Sequence, residues 1–219
     1  MAWFNCGNLN IPIQFTKTKI VDNASKTSTL SFSEDYHNYD LLLFRCVCSN
    51  DGNEFEVLTT PDIVDEIFDK SVSGSTHSLM FNESGTNHYV GYKYISNTEW
   101  LRFQNRYIDC TEVYGVTCNK TITKTTLYQR GNFSGTATEI TIAGNFFDYD
   151  FILGSTCDGN YDDTVPCDSY INLLGISTLN TLINFKWVKY GDTSGWLKTL
   201  TSTKISSGNY FMVQGIKFT

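Results

Sequence analysis

Chemistry in this chain would have to come from a short list of residues. Only three histidines occur, His37, His77 and His88, and nucleophilic catalysis needs a base beside a serine or cysteine. None of the three lies in a motif of that kind, and no Gly-x-Ser-x-Gly elbow is present. Paired carboxylates could cleave glycosides. Asp148 and Asp150 stand two apart, on one face if that segment is a strand, and Asp40 sits in a matching context before Leu41-Leu42-Leu43. An acid at the entrance to an apolar strand commonly bonds turn amides, and that is the role expected of Asp40 and Asp150. The run Asp158-Gly159-Asn160-Tyr161-Asp162-Asp163 opens like a calcium loop. It then places Asp163 where glycine is required and Ser169 where a bidentate glutamate belongs. Cys46-Val47-Cys48 puts two sulfurs on one face of a strand, which is not how ligands surround zinc. Phosphate loops and dinucleotide fingerprints are missing. The expectation is a protein that is not an enzyme, with no catalytic residue, metal or cofactor.

Aromatic residues remain. Lys93-Tyr94 precedes Trp100-Leu101-Arg102, and Lys189-Tyr190 precedes Trp196-Leu197-Lys198 at the same spacing. Such rings can stack on sugars while polar neighbours bond the hydroxyls, or they can anchor a core or a subunit interface. Trp100, Trp196, Tyr94 and Tyr190 are therefore candidate ligand or interface aromatics, with packing the commoner role.

These residues belong to a larger repetition. Tyr39-Asp40-Leu41-Leu42-Leu43 returns as Tyr149-Asp150-Phe151-Ile152-Leu153, and Asp51-Gly52-Asn53 as Asp158-Gly159-Asn160. Thr59-Thr60-Pro61 resembles Thr164-Val165-Pro166, and Val113-Tyr114-Gly115-Val116 resembles Val213-Gln214-Gly215-Ile216. The order is kept while the offset drifts from 110 residues at Tyr39/Tyr149 to 100 at Gly115/Gly215. Ordered matches with a drifting offset are what duplication followed by loop insertion produces, and a repeat of roughly 100 residues is the size of one domain.

The periodicity is that of strands. Thr29-Leu30-Ser31-Phe32 and Glu139-Ile140-Thr141-Ile142 alternate, Leu41 to Cys48 is a continuous apolar run, and Glu54 to Leu58 alternates again. Further strands are expected over residues 88–95, 100–108, 124–129, 184–190, 197–200 and 210–218. The Asp-Gly-Asn triplets supply turns that need positive φ. A short helix is expected after each Thr-x-Pro. In the first, Thr60 caps, Pro61 opens, and Ile63, Val64, Ile67 and Phe68 form the stripe; in the second, Tyr170, Ile171, Leu173 and Leu174 follow Pro166. Measured from those prolines to the Lys-Tyr pairs, the first repeat is about nine residues longer, near residues 71–87, a region expected to be a surface loop. The fold class is all-β: two tandem antiparallel β-sandwich, jelly-roll-like domains from an internal duplication, each with one short helix. The organisation is an attachment segment over 1–12, a first domain over 13–119 and a second over 120–219.

Bulk properties exclude several classes. The 219 residues are 41% hydrophobic, 15% aromatic and 18% charged, a globular composition. Net charge is −7, with 16 basic residues scattered among 23 acidic ones, so no nucleic-acid partner is expected. No apolar run approaches a membrane span and the N-terminus lacks the parts of a signal peptide, so neither membrane insertion nor a leader is expected. The seven cysteines are odd in number and unevenly placed, which fits mostly free, buried thiols. Four glycosylation sequons (Asn23, Asn82, Asn119, Asn132) are about as many as this Ser/Thr content generates by chance.

The segment Leu30-Ser31-Phe32-Ser33-Glu34-Asp35-Tyr36-His37-Asn38-Tyr39-Asp40-Leu41-Leu42-Leu43-Phe44, with Val113-Tyr114-Gly115-Val116 near the end of the repeat, resembles structural proteins of tailed bacteriophages. In that pattern a Leu-Ser start, polar residues and Asn-Tyr-Asp open a β-sandwich module that closes around Tyr-Gly-Ile. The second repeat keeps Tyr149-Asp150 and Gly215-Ile216-Lys217-Phe218 but lacks the closing tyrosine. The resemblance implies a virion component of fibre, receptor-binding, baseplate or decoration type, made in the host cytoplasm. Its implied partners are other virion proteins, further copies of itself with a trimer favoured, and a host surface glycan. It transfers no catalytic residue. On this reading Trp3 and Phe4 are the candidate particle-docking residues. The alternative is a secreted bacterial carbohydrate-binding or adhesion module.

Overall fold

The computed structural model of the protein describes residues 13–50, 52, 54–68, 78–82, 88–129, 140–141, 144, 148–158, 170–177, 204–205 and 210–219. The candidate residues Trp3, Phe4, Tyr190 and Trp196, and the strands expected over 184–190 and 197–200, lie outside them. The first half holds β1 (Phe15–Asp22), β2 (Thr29–Ser31), a 3-10 turn (Tyr36–Asn38), β3 (Leu41–Cys48), β4 (Glu54–Thr59) and α1 (Pro61–Phe68). It continues with β5 (Ser78–Asn82), β6 (Tyr89–Ser96), β7 (Glu99–Arg106) and β8 (Ile108–Cys118). The second half holds β9 (Ile122–Gln129), β10 (Ile140–Thr141), β11 (Phe151–Asp158), β12 (Tyr170–Ser177), β13 (Lys204–Ile205) and β14 (Tyr210–Phe218). The described residues are mostly strand, in antiparallel sheets, with β5 and β12 paired parallel and an isolated parallel bridge between Tyr89 and Tyr107.

Four strands form one sheet in the order β1-β8-β3-β4, and an eight-stranded sheet runs β2-β7-β6-β5-β12-β11-β14-β9. The last four of the eight, read β9-β14-β11-β12, follow the same order by sequence rank within their half as the four-stranded sheet. Register agrees as well. Leu42 faces Gly115 and Gly115 faces Thr18; Ile152 faces Gly215 and Gly215 faces Thr125. Two ladder irregularities recur in place. Ile20 is skipped where β1 passes from Tyr114 to Val113, and Leu127 where β9 passes from Gln214 to Val213. Thr111 is skipped beside Arg45/Cys46, and Phe211 beside Ser155/Thr156. A skipped residue bends and twists its strand, so both four-strand sets carry the same bends at the same steps.

The matched tyrosines explain the matched glycines. A methyl group added at Gly115 would overlap Cγ, Cδ1 and Cδ2 of Tyr39, and one added at Gly215 would lie 2.5–2.7 Å from Tyr149 ring carbons. Each ring thus lies on the backbone of its glycine, at a spot no side chain can share. Asp150, expected to bond a turn amide, instead reaches across the sheet: its Oδ2 accepts from the amide of Phe218 on β14 at 2.7 Å. Gly52, between β3 and β4, has φ +73°, as the Asp-Gly-Asn reading requires.

α1 forms as the sequence indicates. Thr60 Oγ1 accepts from the Ile63 amide at 3.2 Å, a helix cap, and Pro61, Ile63, Val64, Ile67 and Phe68 are buried. The helix lies on β14, β5 and β11, so a helix of the first half covers strands of the second. Among the described residues a core cluster spans both halves, including Phe44, Trp100 and Val113 with Phe151, Leu153 and Ile216.

The expected second helix is corrected in part. Tyr170, Ile171, Leu173 and Leu174 lie in β12, paired with β11 on one side and β5 on the other. A short continuous apolar run in a sequence reads equally as a helical stripe or as a central strand. β12 occupies the place of β4, with Ile176 opposite Ile152 as Thr59 is opposite Leu42. Pro166 therefore precedes the strand that Pro61 follows, and the nine-residue length difference measured from these prolines does not compare equivalent segments.

Candidate functional site: a histidine between two aspartates

Among the described residues, a polar cluster is built where the 3-10 turn meets α1 and the β6–β7 turn. Asp35 caps the 3-10 turn by accepting from the His37 amide at 2.9 Å. The His37 ring then spans two acids, Nδ1 at 2.6 Å from Asp35 Oδ1 and Nε2 at 2.8 Å from Asp65 Oδ2. Tyr36 donates its hydroxyl to Asp65 Oδ1 at 2.6 Å, and its ring stacks on His37 with centroids 4.2 Å apart. Asn97 donates to Asp35 Oδ2 at 2.8 Å and accepts from the Tyr94 hydroxyl at 2.7 Å. Asp65 comes from α1, Tyr94 from β6, and Asn97 from the turn joining β6 to β7.

Electrostatics follow from these contacts. Burial works against the Asp35 carboxylate, but the His37 amide, the His37 ring and Asn97 outweigh it and hold Asp35 below the usual carboxylate range. Burial, then the bond to Asp65, pushes the Tyr36 phenol far up, so it remains a donor. Burial and the charges of Asp65 and Asp35 raise Tyr94 as well. A ring protonated on both nitrogens donates to both aspartates, whereas a neutral ring can donate to only one. A general base needs a ring nitrogen turned to its substrate. Both nitrogens of His37 are turned to carboxylates, and the arrangement works as a clamp between the 3-10 turn and α1.

The aromatic candidates separate. Trp100 is fully buried, with ring centroids 4.8 Å from Phe32, 4.9 Å from Phe68, 5.5 Å from Tyr36 and 5.7 Å from Phe44. Its faces are occupied by the core, so it is a packing residue and not a sugar platform. Tyr94 is half-buried, touches Phe68 and points its hydroxyl into the cluster. Leu30 faces Trp100 in the β2–β7 pair.

Other clusters are structural in geometry. Glu112, on the outer side of the four-stranded sheet, accepts from Lys19 at 2.6 Å, Tyr114 at 2.8 Å and Arg45 at 3.0 Å. These donors overcome the burial that opposes ionisation and take Glu112 down to about 2. Asn23, a sequon residue, is 4% exposed and bonds the Thr27 amide and the Cys110 carbonyl, so it is closed to a glycan in this fold. Among the described residues no group of three or more His, Cys, Asp or Glu is placed to hold a metal ion. No described helix is long and apolar enough to cross a membrane.

Sequence reasoning passed over His37 because its second partner, Asp65, lies 28 residues away. The only local signal was Asp35 two residues before it, a capping pattern. Comparison of the chain with protein-family models, curated proteins and solved structures gives no match.

Proposed function

We propose that this chain is a non-enzymatic structural protein of a tailed-bacteriophage particle, a fibre, receptor-binding or decoration component. Its framework is a β-sandwich module used twice through internal duplication. The observation that carries this reading is the agreement of the two four-strand sets in order, register, skipped residues and ring-on-glycine contact. Two independently evolved sets have no reason to skip equivalent residues. The phage assignment itself rests on the resemblance of residues 30–44 and 113–116. The two parts of that motif meet in space, with Tyr39 of the opening segment lying on Gly115 of the closing one. The polar clusters use their hydrogen bonds to tie elements together, which suits a particle component more than a catalyst.

Light scattering on a size-exclusion column, with reductant, tests the assembly. The expected mass is three times 24.8 kDa. Antibodies against the protein should label phage particles from the same source, and the purified trimer should bind the host cells. A monomer that labels no particle and binds no cells would remove the proposal.

A further inference from the structure

The first half carries a pair of thiols that its matched counterpart lacks. In the β3–β8 ladder Cys46 faces Cys110, one step beyond the skipped Thr111. Both are fully buried and both are reduced in this structure. At the equivalent step of β11–β14 the register sets Thr156 against Tyr210. The module's architecture therefore does not require sulfur at this place. We infer that Cys46 and Cys110 are a built-in oxidation site, which closes to a cross-strand disulfide when the chain meets an oxidising low-molecular-weight disulfide.

Geometry favours this pair over others. Directly opposed residues of an antiparallel ladder have Cα atoms about 4.5–5.5 Å apart, within the roughly 4.4–6.8 Å that a disulfide spans. The skipped Thr111 loosens the ladder beside the pair. The Cys110 amide leaves the ladder as well, donating to the Tyr92 hydroxyl at 3.3 Å. The Cys110 thiol donates to the Glu112 carbonyl at 3.7 Å. Cys48 faces Ile108, sits diagonally from Cys110 at about 7–8 Å, and turns its sulfur to His88 Nδ1 at 3.6 Å. Cys118 bonds the Lys120 carbonyl at the far end of β8.

The step is a thiol–disulfide exchange. The Cys46 thiolate attacks one sulfur of glutathione disulfide and expels a glutathione thiolate, leaving a mixed disulfide. The Cys110 thiolate then attacks the Cys46 sulfur, forms the Cys46–Cys110 bond and expels the second glutathione thiolate. The protein loses two electrons and two protons, and two molecules of reduced glutathione carry them. Burial pushes the Cys46 thiol well above its ordinary range, so thiolate is scarce in the finished sheet. The bond accordingly forms while β3 and β8 are coming together. This inference stands apart from the virion reading and does not need it.

The test is refolding of the full chain from denaturant in a glutathione redox mixture, followed by alkylation, digestion and mass mapping. The Cys46 and Cys110 peptides are expected to be linked. The thermal midpoint should rise on the order of 10 °C, since a long loop is closed, and dithiothreitol should abolish the rise. The double variant Cys46→Ser/Cys110→Ser should show no reductant-sensitive shift. If that variant does not fold, the wild-type peptide map decides alone. Recovery of both cysteines as alkylated thiols after oxidative refolding, or their linkage to any other cysteine, overturns the inference.

Discussion

Tyr39 and Tyr149 lie so close over Gly115 and Gly215 that neither glycine can carry a side chain while its ring stays in place. Gly115→Ala should therefore destabilise the fold by about 3 kcal/mol, at the upper end of what overpacking causes. Tyr39→Ala should be costly too, through lost packing and the lost bond to Glu34. In the double variant the added methyl meets no ring, so the two effects should fall short of their sum by at least ~1 kcal/mol in urea unfolding. Strict additivity would mean that ring and glycine do not meet. At this scale the sequence was half legible. The Tyr and Gly repeats were visible as letters, but only the ladder register explains why they travel together. Trp100 was visible too, yet a ring that stacks on sugar and a ring packed among Phe32, Tyr36, Phe44 and Phe68 read alike in one dimension.

Elements were legible where a single periodicity held. The run Leu41–Cys48 and the terminal Tyr210–Phe218 are strands over the expected residues, and α1 begins at the expected proline. β1 escaped notice because Ile20 is skipped in the ladder, so Ile20 and Val21 are both buried and the alternation breaks. β12 was misread because Tyr170, Ile171, Leu173 and Leu174 stand at spacings that a helical stripe and a continuous apolar strand share. α1 joins the halves as well as filling the core: Thr60 donates to Gln214 Oε1 at 2.6 Å, Gln214 donates to Asp62 at 3.1 Å, and Lys124 pairs with Asp62 at 3.1 Å. Thr60→Ala removes the cap and leaves a buried Gln214 oxygen without that donor. The expected loss is about 2 kcal/mol, read from chemical denaturation; a loss below ~0.5 kcal/mol would mean that α1 is held by its apolar stripe alone.

The whole molecule depends on contacts that cross the middle of the chain. β5 and β12 join their strands into one sheet, α1 lies on β14, and the core cluster runs through both halves. Heating should therefore unfold the protein in one transition, with calorimetric and van't Hoff enthalpies in agreement. Two resolved transitions would show that the halves are energetically separate. The stacked tyrosines offer a way to watch each half by itself. A proton held against the face of an aromatic ring is shielded by the ring current, and the α-hydrogen of Gly115 nearest Tyr39, like that of Gly215 nearest Tyr149, occupies such a position. Each half thus contains its own magnetic reporter, an upfield glycine resonance that exists only while its tyrosine remains seated. Two such signals, vanishing together or one before the other, would record the order in which the protein comes apart.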